Sequence, residues 1–211
     1  RAMSLLASLH LEAGRAGEAE KLARATVERD PRSAAGWYTL GQVLERQRRS
    51  AEARQAYARS AELDPDNPEP RNALGNSHEA AGDWAEAARW YEKALQADPT
   101  YAAAYNNLAL QQQRLGLLEE ARATYERGRR KLPRSSVLLN NLALNYDYRG
   151  IAAKAESLYL RSIAIRERNI GQDHPGLTPA LNNLAELYRN RGDFAKAEPL
   201  YARAFARGGT A

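Results

Sequence analysis

The sequence contains no cysteine. That excludes disulfides and thiolate metal sites. It fits a reducing cytoplasm, the first expectation, or a bacterial periplasm, and does not decide between them. No run of about 18 apolar residues occurs, so no membrane span is expected. Also lacking are a nucleophile–base pair, a glycine-rich phosphate loop and paired carboxylates at meaningful spacing. The expectation is therefore no catalytic residue, no cofactor, no metal and no enzyme activity. Histidine occurs only three times. His10 and His78 recur two repeats apart, beyond metal-ligand distance, and are expected to pack; His174 is expected to be structural. No signal peptide is visible, and the chain opens at Arg1 inside a helical pattern. It is expected to be a piece of a longer protein, so any targeting segment could lie outside it.

What is present is a period. Pro31, Pro65, Pro99 and Pro133 are spaced by 34 residues, as are Tyr57, Tyr91, Tyr125 and Tyr159. A fixed repeat of this length is the signature of a solenoid, in which each unit buries its apolar face against its neighbours. Six units are expected, at about 1–33, 34–67, 68–101, 102–135, 136–177 and 178–211. With the proline at position 32 of a unit, position 7 is Leu6, Leu40, Leu74, Leu108, Leu142 and Leu184. Position 8 is always small (Ala7, Gly41, Gly75, Ala109, Ala143, Ala185), and position 20 is Ala throughout. Position 24 is Ala23 and then five tyrosines, ending at Tyr201.

These columns describe two helices per unit. Positions 4, 7, 8 and 11 share one helical face, and 20, 24, 27 and 28 share another. Small residues at 8, 20 and 27 let axes approach, and the position-24 ring fills the gap. Gly14, Gly82, Gly116, Gly150 and Gly192 at position 15 end the first helix, where glycine takes the left-handed conformation cheaply. Asp83 and Asp193 follow as N-caps, and the proline column stops the second helix. Arg48 stands where the glycine is due; Ser60 is one of the small residues at position 27, where Ala94 and Ala204 also stand.

This constellation resembles the tetratricopeptide repeat family along the whole chain. Trp37, Leu40, Gly41, Ala53, Tyr57 and Pro65 lie in the family's pattern, and the first unit departs most, with Met3, His10 and Ala23. The fifth unit has 42 residues, and the stretch from Ala164 to Phe205 is similar to the longer repeats of kinesin light chains and bacterial relatives. There the second helix should run on toward Asn169, a loop with Gly171 and Pro175 should follow, and Pro179 should sit in the next helix's first turn. Pro199 should cost one hydrogen bond or cause a bend. The resemblance implies an all-α fold, a right-handed α/α superhelix of about six helical hairpins. It also implies a non-catalytic scaffold.

In that family the first helices line a concave wall, with positions 2, 5, 6, 9 and 13 facing a groove. Here those positions carry amides: Asn106 with Asn107, Asn140 with Asn141, Asn182 with Asn183, and Asn72 with Asn76. Tyr38 and Gln42 continue the row, and Tyr148 borders it. Asparagine is a modest helix former, so its repetition in register needs a reason. An amide offers donors and an acceptor to the backbone of an extended peptide, the role that Asn at position 6 plays in the resembled family. The same residues could instead bond neighbouring helices, and both readings stand. Position 6 carries no basic residue, which argues against a clamp for a C-terminal carboxylate.

The net charge of +5 raises nucleic acid as a partner. Arg127, Arg129, Arg130, Lys131 and Arg134, with Arg161, Arg166 and Arg168, and Arg46, Arg48 and Arg49, fall near helix ends, where the dipole favours cations. No aromatic-plus-basic stripe follows the groove to stack bases, so the expected partner is a protein or extended peptide. Trp90 is expected on the outer face as a possible anchor. Leu200, Tyr201 and Phe205 are expected to leave an apolar edge, covered by a longer chain or by a second copy. The alternative function is the recognition arm of a larger enzyme, or homotypic assembly.

Overall fold

A computed structural model describes residues 2–172 and 174–208. The expectations at Arg1, Asp173 and 209–211 lie outside these residues. Among those described there are twelve α-helices and no strand: α1 (Ala2–Glu12), α2 (Ala16–Arg29), α3 (Ala34–Arg46), α4 (Ser50–Leu63), α5 (Glu69–Ala80), α6 (Trp84–Ala97), α7 (Ala102–Arg114), α8 (Leu118–Lys131), α9 (Ser136–Tyr148), α10 (Ala152–Ile170), α11 (Thr178–Asn190) and α12 (Phe194–Gly208). The fold class is the expected one, all-α and built of helical hairpins. The chain divides between Gln111 and Gln112 into two compact units.

Each hairpin is set by its turn chemistry. Position-15 glycines have φ between 71 and 78°. The residue after the glycine donates its N–H five residues back, as Asp83 does to the His78 carbonyl at 3.0 Å and Ile151 to that of Tyr146 at 2.9 Å. That is the wrap in which a left-handed residue satisfies otherwise orphaned carbonyls. Arg48 makes the same turn at φ 62°, and Arg49 donates to the Leu44 carbonyl at 2.9 Å. Ser33, Asp83 and Ser135 cap α3, α6 and α9 by accepting from Gly36, Glu86 and Leu138 N–H groups. Ahead of the prolines, Asp30, Asp64 and Asp98 are extended and close the second helices.

The columns form the cores. Tyr57, Tyr91, Tyr125 and Tyr159 are buried, as are the position-7 leucines from Leu40 to Leu184. The position-20 alanines from Ala19 to Ala155 are fully covered. Ser60 departs from alanine with a reason: its hydroxyl donates to the Ala34 carbonyl at 2.9 Å, and Ser162 donates to that of Ser136 at 2.7 Å. Repeats are also tied laterally in the first unit. Glu20 accepts from Arg24, Gln47 and Arg49 at 2.8 to 2.9 Å, and Arg49 bridges to Glu52 at 2.6 Å.

The long fifth repeat is as expected: α10 runs 19 residues to Ile170, Gly171 turns at φ 86°, and a 3-10 turn spans Pro175–Leu177. His174 accepts from the Gly176 N–H at 2.9 Å, and Arg166 donates to the Gly176 carbonyl. α12 continues through Pro199. Trp90 does not stand free: it is half-buried against the first unit's core, with Lys93 Nζ 3.8 Å from its ring centre. Tyr201 and Leu200 are half-buried, so the apolar face of α12 is made instead by Phe194, 66% exposed, and Phe205, 81% exposed.

Candidate amide rows on the first helices

Positions 5, 6 and 9 of the first helices from the second repeat on are placed by the position-7 leucine, whose burial turns them toward the opposite flank. In the first unit, Asn107 on α7 donates to Asn72 Oδ1 at 3.1 Å and to Asn76 Oδ1 at 3.3 Å on α5. Asn106 Nδ2 lies 3.4 Å from Asn107 Oδ1. Asn76 Oδ1 also lies 2.8 Å from the Tyr91 hydroxyl. In the second unit, Asn183 on α11 donates to Asn140 Oδ1 on α9 at 3.3 Å, and Asn140 donates to Asn141 at 3.2 Å. The amides thus bond across adjacent first helices. Asn72 is buried, Asn106, Asn107, Asn140, Asn141 and Asn183 are half-buried, and Asn76 and Asn182 are exposed.

Tyr38 is half-buried, its ring 5.7 Å from that of Tyr57 and tilted by 48°. Burial, aided by Glu69 and Tyr101, pushes its hydroxyl up to about 12, against a hydrogen bond with Gln42. Gln42 lines a cavity of about 310 Å³ with Ser8, Glu12, Glu45, Arg46 and Tyr57. Tyr148 is 77% exposed. Tyr38 and Gln42 therefore sit together in the first unit, and Tyr148 lies in the second.

A second column escaped the sequence reading. Position 12 carries Glu45, Glu79, Gln113 and Asp147, each twelve residues before a position-24 tyrosine. Glu79 Oε2 lies 2.9 Å from the Tyr91 hydroxyl. Glu45 Oε2 is buried without a partner. The Asp147 carboxyl is raised from its ordinary value by burial and by Glu186. Glu186 itself accepts from Tyr201 at 2.8 Å and pairs with Arg189. The signal for this column was available as the twelve-residue spacing.

Several of the basic groups are held by neighbours. Arg129 pairs with Glu126 at 2.7 Å, Arg161 donates to the Pro133 carbonyl at 3.0 Å, and Arg49 takes Glu20 and Glu52. His10 and His78 each face an acid on the following turn, Glu18 at 2.7 Å and Asp83 at 3.5 Å. Among the described residues no group of three His, Cys, Asp or Glu could hold a metal, and no helix is long and apolar enough to cross a membrane.

Four family models, each described as tetratricopeptide repeat, match residues 4–68, 68–101, 90–123 and 134–207. No curated protein matches the chain in sequence. Among solved structures, it is similar to PilW, a type IV pilus biogenesis factor, at 18% identity and TM-score 0.75, covering 99% of this chain and 93% of that one. It is similar to BtubC (BKLC) from P. vanneervenii at 23% identity and TM-score 0.75, over 92% and 89% of the two chains. YrrB, a TPR protein with an unusual peptide-binding site, matches at 17% identity and TM-score 0.62, over 89% and 93%. At such identities the likeness concerns the fold.

Proposed function

Since the chain belongs to the tetratricopeptide repeat family, we propose that it is a non-catalytic scaffold whose first helices hold an extended segment of a partner protein by its backbone. The observation that carries this reading is that amides recur in register on neighbouring first helices and, besides bonding one another as Asn107 does with Asn72 and Asn183 with Asn140, stay at least partly exposed at every position but Asn72. Such bonds fix the side-chain amide planes in advance, which lowers the ordering cost of binding. An asparagine amide has two N–H donors and two acceptor sites; Asn107 uses both donors and one acceptor site on other amides, and Asn183 one donor, so neither is exhausted. A row of them matches the alternating N–H and C=O groups of an extended backbone and is indifferent to side chains. YrrB, similar in fold, has a peptide-binding site, which supports a peptide as the occupant.

The test is a peptide array on the 211-residue chain, followed by Asn107→Ala with Asn141→Ala. Loss of two backbone contacts at about 1 kcal/mol each predicts a roughly tenfold or larger fall in affinity. Unchanged affinity in a folded double variant would dismiss the reading.

A second reading is self-association, favoured by two apolar faces. Leu6 on α1 is 45% exposed, whereas its counterpart Leu74 is 2% exposed. On α12, Phe194, Tyr201 and Phe205 line a cavity of about 520 Å³. Within each unit a second helix packs on the next first helix, as α2 does on α3 and α10 on α11. The face of α12 and the leucines of α1 are the two halves of that same pairing, and a second copy would join them head to tail.

A further inference from the structure

The second and third repeats carry the same three positions in different states. Positions 9, 12 and 24 are Gln42, Glu45 and Tyr57 in the second repeat, and Asn76, Glu79 and Tyr91 in the third. In the third repeat they close on one another. The Tyr91 hydroxyl lies 2.8 Å from Asn76 Oδ1 and 2.9 Å from Glu79 Oε2. In the second repeat they stand open. All three border a cavity of about 310 Å³, together with Ser8 and Glu12 on α1 and Arg46 on α3. Glu45 Oε1 accepts from the Ser50 hydroxyl at 3.2 Å, and Glu45 Oε2 has no hydrogen-bond partner.

The lining says which occupant fits. Glu12 is exposed and Glu45 half-buried, so an acid reaches the cavity from each of two helices. Ionised carboxylates only accept. The Ser8 hydroxyl donates to the Ser4 carbonyl at 3.2 Å, which leaves its oxygen able to accept. Glu45 Oε2 is turned in from solvent, but the terminal torsion of glutamate is broad and two-fold. Exchange of its two oxygens presents either one to a donor in the cavity. Arg46 is the one cation among the described residues of the lining, and it is exposed. Two acids against one cation leave the cavity net negative. Its volume is at the low end of ligand sites, which run roughly 300–1,000 Å³, and suits one long side chain. Gln42 shares position 9 with Asn76, which Asn107 reaches at 3.3 Å. The cavity therefore lies on the flank that carries the amide row.

We infer that this cavity between α1 and α3 is the seat of a basic side chain, lysine or arginine, on the bound segment. This rests on the peptide reading given above and adds a side-chain preference to it. Glu12 and Glu45 pair with the charged head, and the Ser8 oxygen accepts a further N–H. Leu11 and Tyr57 offer an apolar wall to the methylene stem. The third repeat has no such seat, because Tyr91 already occupies Asn76 and Glu79. The backbone amides then tolerate sequence, and this cavity selects for charge.

The test uses the 211-residue chain and four short, acetylated and amidated alanine–serine peptides that differ at one central residue. Two are cationic, lysine and arginine; norleucine and citrulline are their neutral counterparts. Affinities are read from amide shifts in a nuclear magnetic resonance titration. At least one cationic peptide is expected to bind about tenfold tighter than its counterpart, the size of one charge-assisted bond. The pair with the larger ratio identifies the preferred head group. Glu45→Gln, which keeps the shape of the side chain, should shrink that ratio to within about threefold and leave the neutral peptide's affinity unchanged. Glu12→Gln, at an exposed site that leaves the fold intact, should lower the ratio about twofold, as an exposed ion pair does. Arg46→Gln should raise it by a similar factor. Equal affinities within both pairs would mean that solvent fills the cavity, and would overturn the seat while the amide row stands. A preference that survives Glu12→Gln combined with Glu45→Gln, or that falls with Arg46→Gln, would also overturn it. If none of the four peptides binds, both the seat and the amide reading fail.

Discussion

The ring of Tyr91 stands 2.4 Å from where a Cβ on Gly75 would lie. The ring has little room to yield, because its hydroxyl is within hydrogen-bond distance of Asn76 Oδ1 at 2.8 Å and Glu79 Oε2 at 2.9 Å. Gly75→Ala should therefore cost about 1–3 kcal/mol, the range for overpacking a filled core. The denaturant midpoint measures it. Ala109 and Ala143 occupy the same column in other repeats, so the column as such tolerates a methyl group. In an Asn76→Ala background the ring can shift, and the cost of Gly75→Ala should fall. A cycle showing strict additivity would refute the clamping of the ring.

Arg48 holds a left-handed conformation at φ 62°, where the other described repeats place glycine. An L-residue pays for that conformation by about 1–2 kcal/mol, and glycine returns part of the gain through unfolded-chain entropy. Arg48→Gly should stabilise the protein by about 0.5–1 kcal/mol. Gly150→Arg should do the reverse by a similar amount. A fall in the midpoint for Arg48→Gly would show that the arginine side chain has a compensating role.

Acid should reveal the lateral network of the first unit. Hydrogen bonds from Arg24, Gln47 and Arg49 hold Glu20 at about 2, against an ordinary 4.5. The folded state therefore binds this proton less readily than the unfolded state. The stabilisation is fully present above pH 4.5 and is lost as pH falls through 2. As the partners are partly exposed, the amount should be about 1 kcal/mol or less. Other lowered carboxylates titrate in the same window, so the quantity to follow is the difference between the native chain and Glu20→Gln. That difference should vanish toward pH 2. Asp147 runs the opposite way: its raised carboxyl favours the folded state when protonated, and its contribution is lost as pH rises. Asp147→Asn should thus leave stability at pH 7 unchanged or higher, and a clear loss there would contradict the burial that raises it.

The hairpins were legible in the sequence because their determinants are local. A glycine at position 15 and a proline at position 32 act within one turn, and the leucine, alanine and tyrosine columns need only their own period. The amide row was legible as a pattern, but its internal bonding was not. Asn107 and Asn72 are 35 residues apart, Asn183 and Asn140 are 43 apart, and which oxygen each donor finds depends on how neighbouring helices stack. Trp90 misled for a related reason. An outward position on one helix was read as solvent, whereas its ring packs on the first unit's core and under Lys93. The position-12 acids carry no signal taken one at a time; the Glu79–Tyr91 contact shows what twelve residues of spacing does.

Phe194 and Phe205 supply the last prediction. Both lie exposed on α12, a second helix, and second helices such as α10 pack on the first helix that follows them. If α1 of a second copy covers this face, each buried phenylalanine contributes about 1.5–3 kcal/mol. Association of this kind is heterologous and runs past a dimer, into a ring or an open chain, so the weight-average sedimentation coefficient should climb with concentration beyond the dimer value. Phe194→Glu with Phe205→Glu should return the protein to a single slow species, with the association constant reduced more than about a hundredfold. Leu5→Glu with Leu6→Glu on α1 should have the same effect from the other side. Mixing the two double variants should not restore assembly beyond a dimer, because each retains only one competent face. A native chain that sediments as a monomer at high concentration would sink the head-to-tail reading.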